Sequence, residues 1–451
     1  MMLELDVRSY LIIAINFLVK LWVPLYFSRL STFLDNSILF STFINSFKSL
    51  KEGLFLINKL EINPYDGDII NHPPLLLSFF TLLNRDNSDF IYELIYAITD
   101  SIILVKLLNF NNLLKEKNKN EKEFNDEDYE NEFRNEKIDE INNDNDNKIR
   151  NDRNGDYFHD FNVVLFYCFN PLILLSFFSK STIIFTNLFI ILMLNNLLTK
   201  NYTLSILQLS ICSYLSYFPL YLIFPILNYI YQDIKSIKKI IKYLIFFIIF
   251  ILLLSTLNFC FGFQKVINNC YLSIILFKKI QPNLGLWWYF FIEIFEFFNN
   301  FYIGLFNMYS FIMILPFTYK FNKEPMISLF LCISWIILTK NYPVIGDLNM
   351  FSLLILTIGS PLINFLQIPL LLINIVLFVV LVLLVLFYYL WMDLNSGNSN
   401  FFYGVGLVYN ILIGFAIIDF TWSQLSKTWY EENHIEIHDD EERKIIKLTQ
   451  I

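Results

Sequence analysis

Charge is what this sequence has least of. Only 16% of its 451 residues are Asp, Glu, Lys or Arg, against 56% hydrophobic, which excludes an ordinary soluble protein of this length. Long stretches carry no charged residue at all, among them 161–179, 181–199, 201–232, 243–264, 297–319 and 348–392. A helix needs about 20 apolar residues to cross the hydrocarbon core, and the last stretch is long enough for two crossings. The fold class is therefore all-α, a polytopic membrane helical bundle.

Other scarcities exclude whole chemistries. The five cysteines (Cys168, Cys212, Cys260, Cys270, Cys332) lie in or beside apolar segments with no pair at metal-ligand spacing, so packing thiols are expected, with disulfides left open. Of four histidines, His434 and His438 fall in an acidic tail and His159 in a polar insert, leaving His72 as the one that could serve a site. No Gly-x-Ser-x-Gly elbow occurs, so a hydrolase triad within the chain is not expected. No dense Lys/Arg stretch points to nucleic acid. Residues 11–27 are apolar but lack a small-residue cleavage site, and read as a retained first span interrupted by Lys20.

The acidic balance is local. Residues 111–160 hold 16 acids and 9 bases, and residues 431–451 hold 7 acids and 3 bases, leaving the membrane body slightly basic. The first of these is rich in Asn, Asp, Glu and Lys without apolar periodicity, and is expected to be a disordered insert because it cannot bury enough surface to offset chain entropy. This divides the chain into 1–110 (two spans with a loop), the 111–160 insert, a main bundle over 161–425, and an acidic tail over 426–451.

Twelve spans are expected: 10–27, 90–110, 161–178, 182–198, 203–218, 219–231, 240–261, 300–318, 326–338, 348–362, 369–391 and 402–422. Within the first loop, 50–57 suggests an amphipathic interfacial helix, and His72-Pro-Pro belongs at an interface, because proline strands backbone groups inside a lipid-facing helix. The loops at 233–242 and 319–325 are basic. If they are cytosolic, both termini and the insert are cytosolic too. The opposite face then collects Asn63-Pro-Tyr-Asp-Gly with His72-Pro-Pro, Asn170-Pro with Ser179-Lys-Ser-Thr, the segment 281–298, Asn341-Tyr-Pro-Val-Ile-Gly-Asp, and Asn395-Ser-Gly-Asn-Ser-Asn. Five polar, Pro/Gly-marked segments on one side of an apolar bundle look like the rim of one cavity. The sequon at Asn201 falls on the other side and is expected to be unmodified.

The segment 281–298 is the densest of these, with Pro282 and Asn283 in a turn, then Trp287, Trp288 and Tyr289, then Glu293 and Glu296. Tryptophan and tyrosine collect where hydrocarbon meets water. The two glutamates would share a helical face at i, i+3, as a polar stripe or a metal or base pair. Asp66 and Asp68 read as turn residues, and Lys180 and Lys340 as lone rim cations, snorkelling or meeting phosphate. Asn398 and Asn400, between Trp391 and Phe401-Phe-Tyr, can donate and accept without burying a charge. That suits a lipid headgroup bearing hydroxyls and phosphate.

Together these segments carry a resemblance. Glu52-Gly-Leu-Phe, Asn63-Pro-Tyr-x-Gly, Asn170-Pro with Lys180-Ser-Thr, Tyr217-x-Pro-Leu, Gln281-Pro-Asn-Leu-Gly-Leu-Trp-Trp-Tyr-Phe-Phe-x-Glu-x-Phe-Glu, Tyr342-Pro-Val-Ile-Gly-Asp and Asn398-Ser-Asn-Phe-Phe-Tyr resemble, in order, the PIG-U family, the multispanning subunit of GPI transamidase. The resemblance implies an endoplasmic-reticulum complex that attaches glycosylphosphatidylinositol to protein C-termini. Its cysteine nucleophile would sit in a separate, cysteine-protease-like subunit. This chain would have no catalytic residue, metal or cofactor of its own, and would bind the GPI lipid through Asn398, Asn400, Phe401, Pro282, Asn283, Trp287, Trp288, Tyr289 and Asn170.

The family is also similar to the luminal GPI-pathway mannosyltransferases, which implies a GT-C-like architecture and supplies the rival reading, an enzyme using dolichyl-phosphate mannose. Such enzymes place acids in the first luminal loop, where residues 28–58 offer only Asp35 and Glu52. A transporter would need broken helices with intramembrane charges, and the central spans have almost none.

Overall fold

The computed structural model describes residues 7–84, 88–133 and 160–432, and every regular element among them is helical. These residues fall into two units. One comprises Met1–Lys279 with Tyr342–Leu353, the other Ile280–Asn341 with Leu354–Ile451.

In the first unit, the helix Phe47–Asn58 begins at Ser46, whose hydroxyl accepts the Ser49 N–H at 3.4 Å, a side-chain cap. Phe47, Leu50 and Leu54 recur at helical spacing and are buried with Leu77 and Phe80 of the helix Pro74–Leu83. The helix expected to lie on a membrane surface thus packs its apolar face on protein. Gly53 sits where the two helices close, since a Cβ there would stand 3.0 Å from Leu77 Cδ2. At Asn170 the chain bends by 49° between Asp160–Phe169 and Pro171–Phe178. Pro171 has no N–H to continue the ladder, and the Asn170 carboxamide oxygen instead accepts the Leu172 N–H at 2.9 Å.

Lys20 is fully buried and donates to Asp100 at 2.7 Å, while the Tyr167 hydroxyl donates to the other carboxylate oxygen at 2.8 Å. One charge pair and one hydroxyl thereby join the helices Val7–Tyr26, Asp89–Phe133 and Asp160–Phe169. Lys180, expected as a lone cation, is also buried and pairs with Glu93. Asp66 pairs with Lys265 at 2.6 Å, consistent with a turn residue.

In the second unit, the helix Pro325–Thr339 is buried on almost every side, as expected of a central helix. It packs against Asn299–Ile312, Ile314–Lys320 and the long helix Ser399–Glu432, which also packs along Leu370–Met392. Asp419 is buried and its two oxygens accept the N–H groups of Gln367 and Ile368, each at 3.0 Å. The carboxylate thus satisfies backbone donors in the turn leading to Pro369.

Among the described residues five helices are long and apolar enough to cross a membrane: Arg8–Tyr26, Ile237–Cys260, Glu296–Lys320, Leu370–Met392 and Ser399–Glu432. The bent pair at Asn170 makes a sixth if it is one span. The other expected spans take different forms. Ile183–Leu198, Tyr202–Leu215, Pro325–Thr339 and Ile345–Thr357 are apolar but shorter; at 1.5 Å per residue they reach about 20–24 Å, against about 30 Å of hydrocarbon. Residues 90–110 lie within Asp89–Phe133 but carry Glu93, Asp100 and Lys106. Residues 219–231 divide into a 3-10 turn, Phe218–Leu222, and the helix Ile223–Ile234.

The segment expected to be disordered from Asn111 is helical as far as Phe133. An apolar stretch fixed by packing has already met the cost of nucleation, and the Leu, Lys and Glu residues that follow propagate a helix well. The rest of that insert, 134–159, and the tail beyond 432 lie outside the described residues.

Candidate functional site

The segment 281–298 and the segment 398–403 meet in the second unit. Residues 281–286 form a tight loop: the Asn283 carboxamide oxygen accepts the Gly285 N–H at 2.7 Å and its nitrogen donates to the Gln281 carbonyl at 3.0 Å. Asn410, an amide inside an apolar helix, donates to the Leu284 carbonyl at 2.7 Å and fixes that loop to Ser399–Glu432. Tyr403 adds a hydroxyl bond to the Leu286 carbonyl at 3.0 Å.

Trp287 and Trp288, expected at a wet rim, are each only 1% exposed. Trp287 donates its indole N–H to the Thr339 carbonyl at 3.0 Å. Trp288 lies against Trp391, Phe402 and Tyr403, with ring centroids at 6.2, 5.9 and 5.5 Å. The tryptophans are thus the foundation of the patch, and its surface is one layer further out. There Tyr289 stacks on Tyr403 at 4.6 Å and its hydroxyl donates to the Asn400 carboxamide oxygen. Asn398 and Asn400 are exposed. Asn398 caps the following helix, its oxygen accepting the Asn400 N–H at 3.3 Å and the Ser399 hydroxyl at 3.0 Å. Phe401 is 59% exposed and stacks on Phe387 at 5.8 Å.

Glu293 and Glu296 do not share a helical face. The helix Trp287–Glu293 ends at the first glutamate because Ile294 and Phe295 are extended, with ψ of 146° and 136°. Glu296 opens a separate turn, so their i, i+3 spacing has no helical meaning. Pro282 is half-buried beside the Asn283 loop. What remains outward is an aromatic-backed surface with a phenol and two amides, able to donate and accept hydrogen bonds at an apolar boundary.

Asn170 belongs to the first unit, where it caps the helix after the bend. That unit gathers its own polar groups around residues 41–49, the loop that leads into Phe47–Asn58 and that helix's first turn. Asp35 accepts the hydroxyls of Ser41 and Ser46 at 3.0 and 3.4 Å, and the N–H groups of Phe47 and Lys48 at 3.0 and 2.8 Å. Burial raises its carboxyl above the usual carboxylate range, opposed by those four hydrogen bonds. His72 is buried with Nε2 2.8 Å from the Ser46 carbonyl, so Nε2 carries the proton and Nδ1 is a bare acceptor. Desolvation pushes the imidazole down to about 4, partly offset by that carbonyl.

Cys270 reaches the His72 carbonyl at 3.3 Å, not its ring. Among the described residues no group of three or more His, Cys, Asp or Glu side chains could hold a metal ion.

Sequence reasoning missed Asn410, Asp419 and the Lys20–Asp100 and Lys180–Glu93 pairs. A polar or charged residue inside an apolar run was the available signal for each, since such a group persists only with a partner.

Comparison with known proteins matches residues 14–409 to the family described as GPI transamidase subunit PIG-U. The chain is 36% identical to GPI transamidase component GAB1 of Saccharomyces cerevisiae over 90% of its own length and 92% of the relative's. It is 27% identical to GPI-anchor transamidase component PIGU of Homo sapiens, covering 93% and 94% of the two chains.

Proposed function

The chain belongs to the PIG-U family and is a subunit of the GPI transamidase complex, and from this we propose that it is the non-catalytic component that receives the glycosylphosphatidylinositol lipid and presents it for transfer. The observation that carries this reading is the surface formed by Tyr289, Asn398, Asn400 and Phe401 over buried Trp288 and half-buried Trp391. The amides and the phenol meet glycan hydroxyls and phosphate, and the exposed phenylalanine meets acyl chain. Pro282, Asn283, Trp287 and Trp288 hold the surface in shape from behind; Asn170, in the first unit, is a lipid contact in its own right.

A non-catalytic role is supported by the condition of the candidate acids and bases. Asp35, an acid of the first expected luminal loop, already accepts four hydrogen bonds from its own loop, which ill suits a general base. His72 is buried and bonded to a carbonyl. The cysteine nucleophile and its histidine then belong to a cysteine-protease-like partner subunit. The mannosyltransferase alternative gains no support from relatives that are named as transamidase components. The proposed setting is the endoplasmic-reticulum membrane, with about twelve crossings in a GT-C-like arrangement, the insert and tail cytosolic.

Substituting Asn398 and Asn400 together by Ala tests this. Anchor transfer by the assembled complex falls at least tenfold while co-purification of the other subunits is unchanged. Full transfer by a fully assembled variant complex removes the two amides from the site.

A further inference from the structure

The first unit contains a second polar locus that the surface patch does not use. Three segments meet there: residues 41–49 (a loop running into the first turn of Phe47–Asn58), the first turns of Asp89–Phe133, and the turn 179–182. The Thr182 N–H donates to the Asn45 carbonyl at 3.0 Å and the Tyr96 hydroxyl to the Lys180 carbonyl at 2.7 Å. Phe47 lies 5.2 Å from the Tyr92 ring and 4.9 Å from the Lys180 ammonium, which pairs with Glu93 Oε1. Lys180 holds this position in a left-handed backbone conformation, φ 54°, one that a non-glycine residue keeps only when its surroundings impose it.

On these segments five side-chain atoms are buried without a hydrogen-bond partner: Thr42 Oγ1, Asn45 Nδ2, Ser49 Oγ, Glu93 Oε2 and Ser181 Oγ. Glu93 and Ser181 are 1% and 2% exposed, Thr42 and Asn45 8% each. Buried polar groups are normally satisfied, and a concentration of orphans calls for a missing partner. The set is mixed, with an amide donor, a carboxylate acceptor and three hydroxyls that do either. The buried cation of the locus, Lys180, is already paired with Glu93, which disfavours an anion. A neutral ring bearing several hydroxyls fits, donating to Glu93 Oε2 while accepting from Asn45.

We propose that Thr42, Asn45, Glu93 and Ser181 form a closed site for a hydroxyl-rich ring, a sugar or an inositol, of a glycolipid headgroup. The proposal rests on the reading of this chain as the lipid-presenting subunit and adds a glycan contact separate from the Asn398–Tyr403 surface.

The test uses the affinity-purified complex containing the full chain, in detergent, with thermal unfolding of this chain followed against added phosphatidylinositol, soluble myo-inositol, or phosphatidylcholine. Phosphatidylinositol raises the midpoint above that in phosphatidylcholine. In Thr42→Val/Ser181→Ala the half-saturating concentration rises at least tenfold, while the ligand-free midpoint does not fall, because the removed atoms have no protein partner. Ser181→Ala alone gives the same direction should the double variant fold poorly. A matching shift from myo-inositol places recognition in the ring, and a shift from phosphatidylinositol alone makes a membrane lipid the source; either supports the site. An unaltered half-saturation in the variants, or no response in a wild-type complex that still transfers anchors, overturns it. In the latter case the subunit's presenting role survives, because the Asn398/Asn400 result is independent.

Discussion

Replacing Lys20 by Met removes one half of a charge pair whose members are 0% and 2% exposed and 2.7 Å apart. Asp100 keeps the Tyr167 hydroxyl at 2.8 Å but loses its only counter-charge among the described residues. The ammonium also leaves the faces of Tyr167 and Phe177, at 4.8 and 5.2 Å. Breaking a buried pair from one side costs about 3–5 kcal/mol, whereas replacing both partners by apolar groups of similar volume is often near neutral. Lys20→Met/Asp100→Leu therefore recovers most of the loss, less about 1 kcal/mol for the Tyr167 hydroxyl, which keeps only the longer contact to the residue 100 carbonyl at 3.5 Å. At a few degrees per kcal/mol, the single variant lowers the thermal midpoint of this chain by on the order of 10 °C. The assay is thermal unfolding of the tagged complex in detergent, run as a double-mutant cycle. A Lys20→Met protein within about 0.5 kcal/mol of wild type, the range of an ordinary surface change, would refute the buried pair.

Gly346→Ala places a Cβ 2.4 Å from Ile183 Cγ2, an overlap worth about 1–3 kcal/mol in a packed interior; Ile183→Leu, which removes the β-branch, should rescue thermal stability, and no rescue would show that the clash is elsewhere. His72 gives a pH signature. Its folded-state pKa lies below the unfolded value, so its contribution to stability is complete above about pH 6.5 and is drawn down as pH falls from there toward 4, by about 3 kcal/mol in all. Asp35 is shifted in the opposite sense and is common to both proteins, so the comparison of wild type with His72→Gln isolates the histidine. Equal slopes over that window would mean the imidazole is not buried neutral.

The membrane class was legible from residue types alone, since charge-free runs report directly on lipid, and the two segments singled out by their aromatic and amide residues, 281–298 and 398–403, do meet in the structure. The number of crossings was not legible. Hydropathy cannot distinguish a lipid-facing span from a core helix such as Pro325–Thr339, which is apolar on every side because protein surrounds it.

The roles inside the site were blurred for a related reason. An aromatic pair marks an interface whether its rings face water or lie one layer beneath, and only packing shows that Trp288 supports Tyr289 and Tyr403. Glu293 and Glu296 looked paired because helical continuation was assumed across Ile294, where the chain is extended. Long-range partners such as Asp419 with the 367–368 turn, or Asn410 with Leu284, have no local signature beyond being polar in an apolar run.

The central claim is that this subunit holds the lipid. It is tested most directly by cross-linking a photoreactive GPI analogue to the purified, transfer-competent complex and mapping the labelled peptides. The account predicts label on this chain in the peptides containing Tyr289 and Asn398–Tyr403, reduced by competing unlabelled lipid and by the Asn398/Asn400 substitutions. Competable label confined to other subunits of an active complex would contradict it.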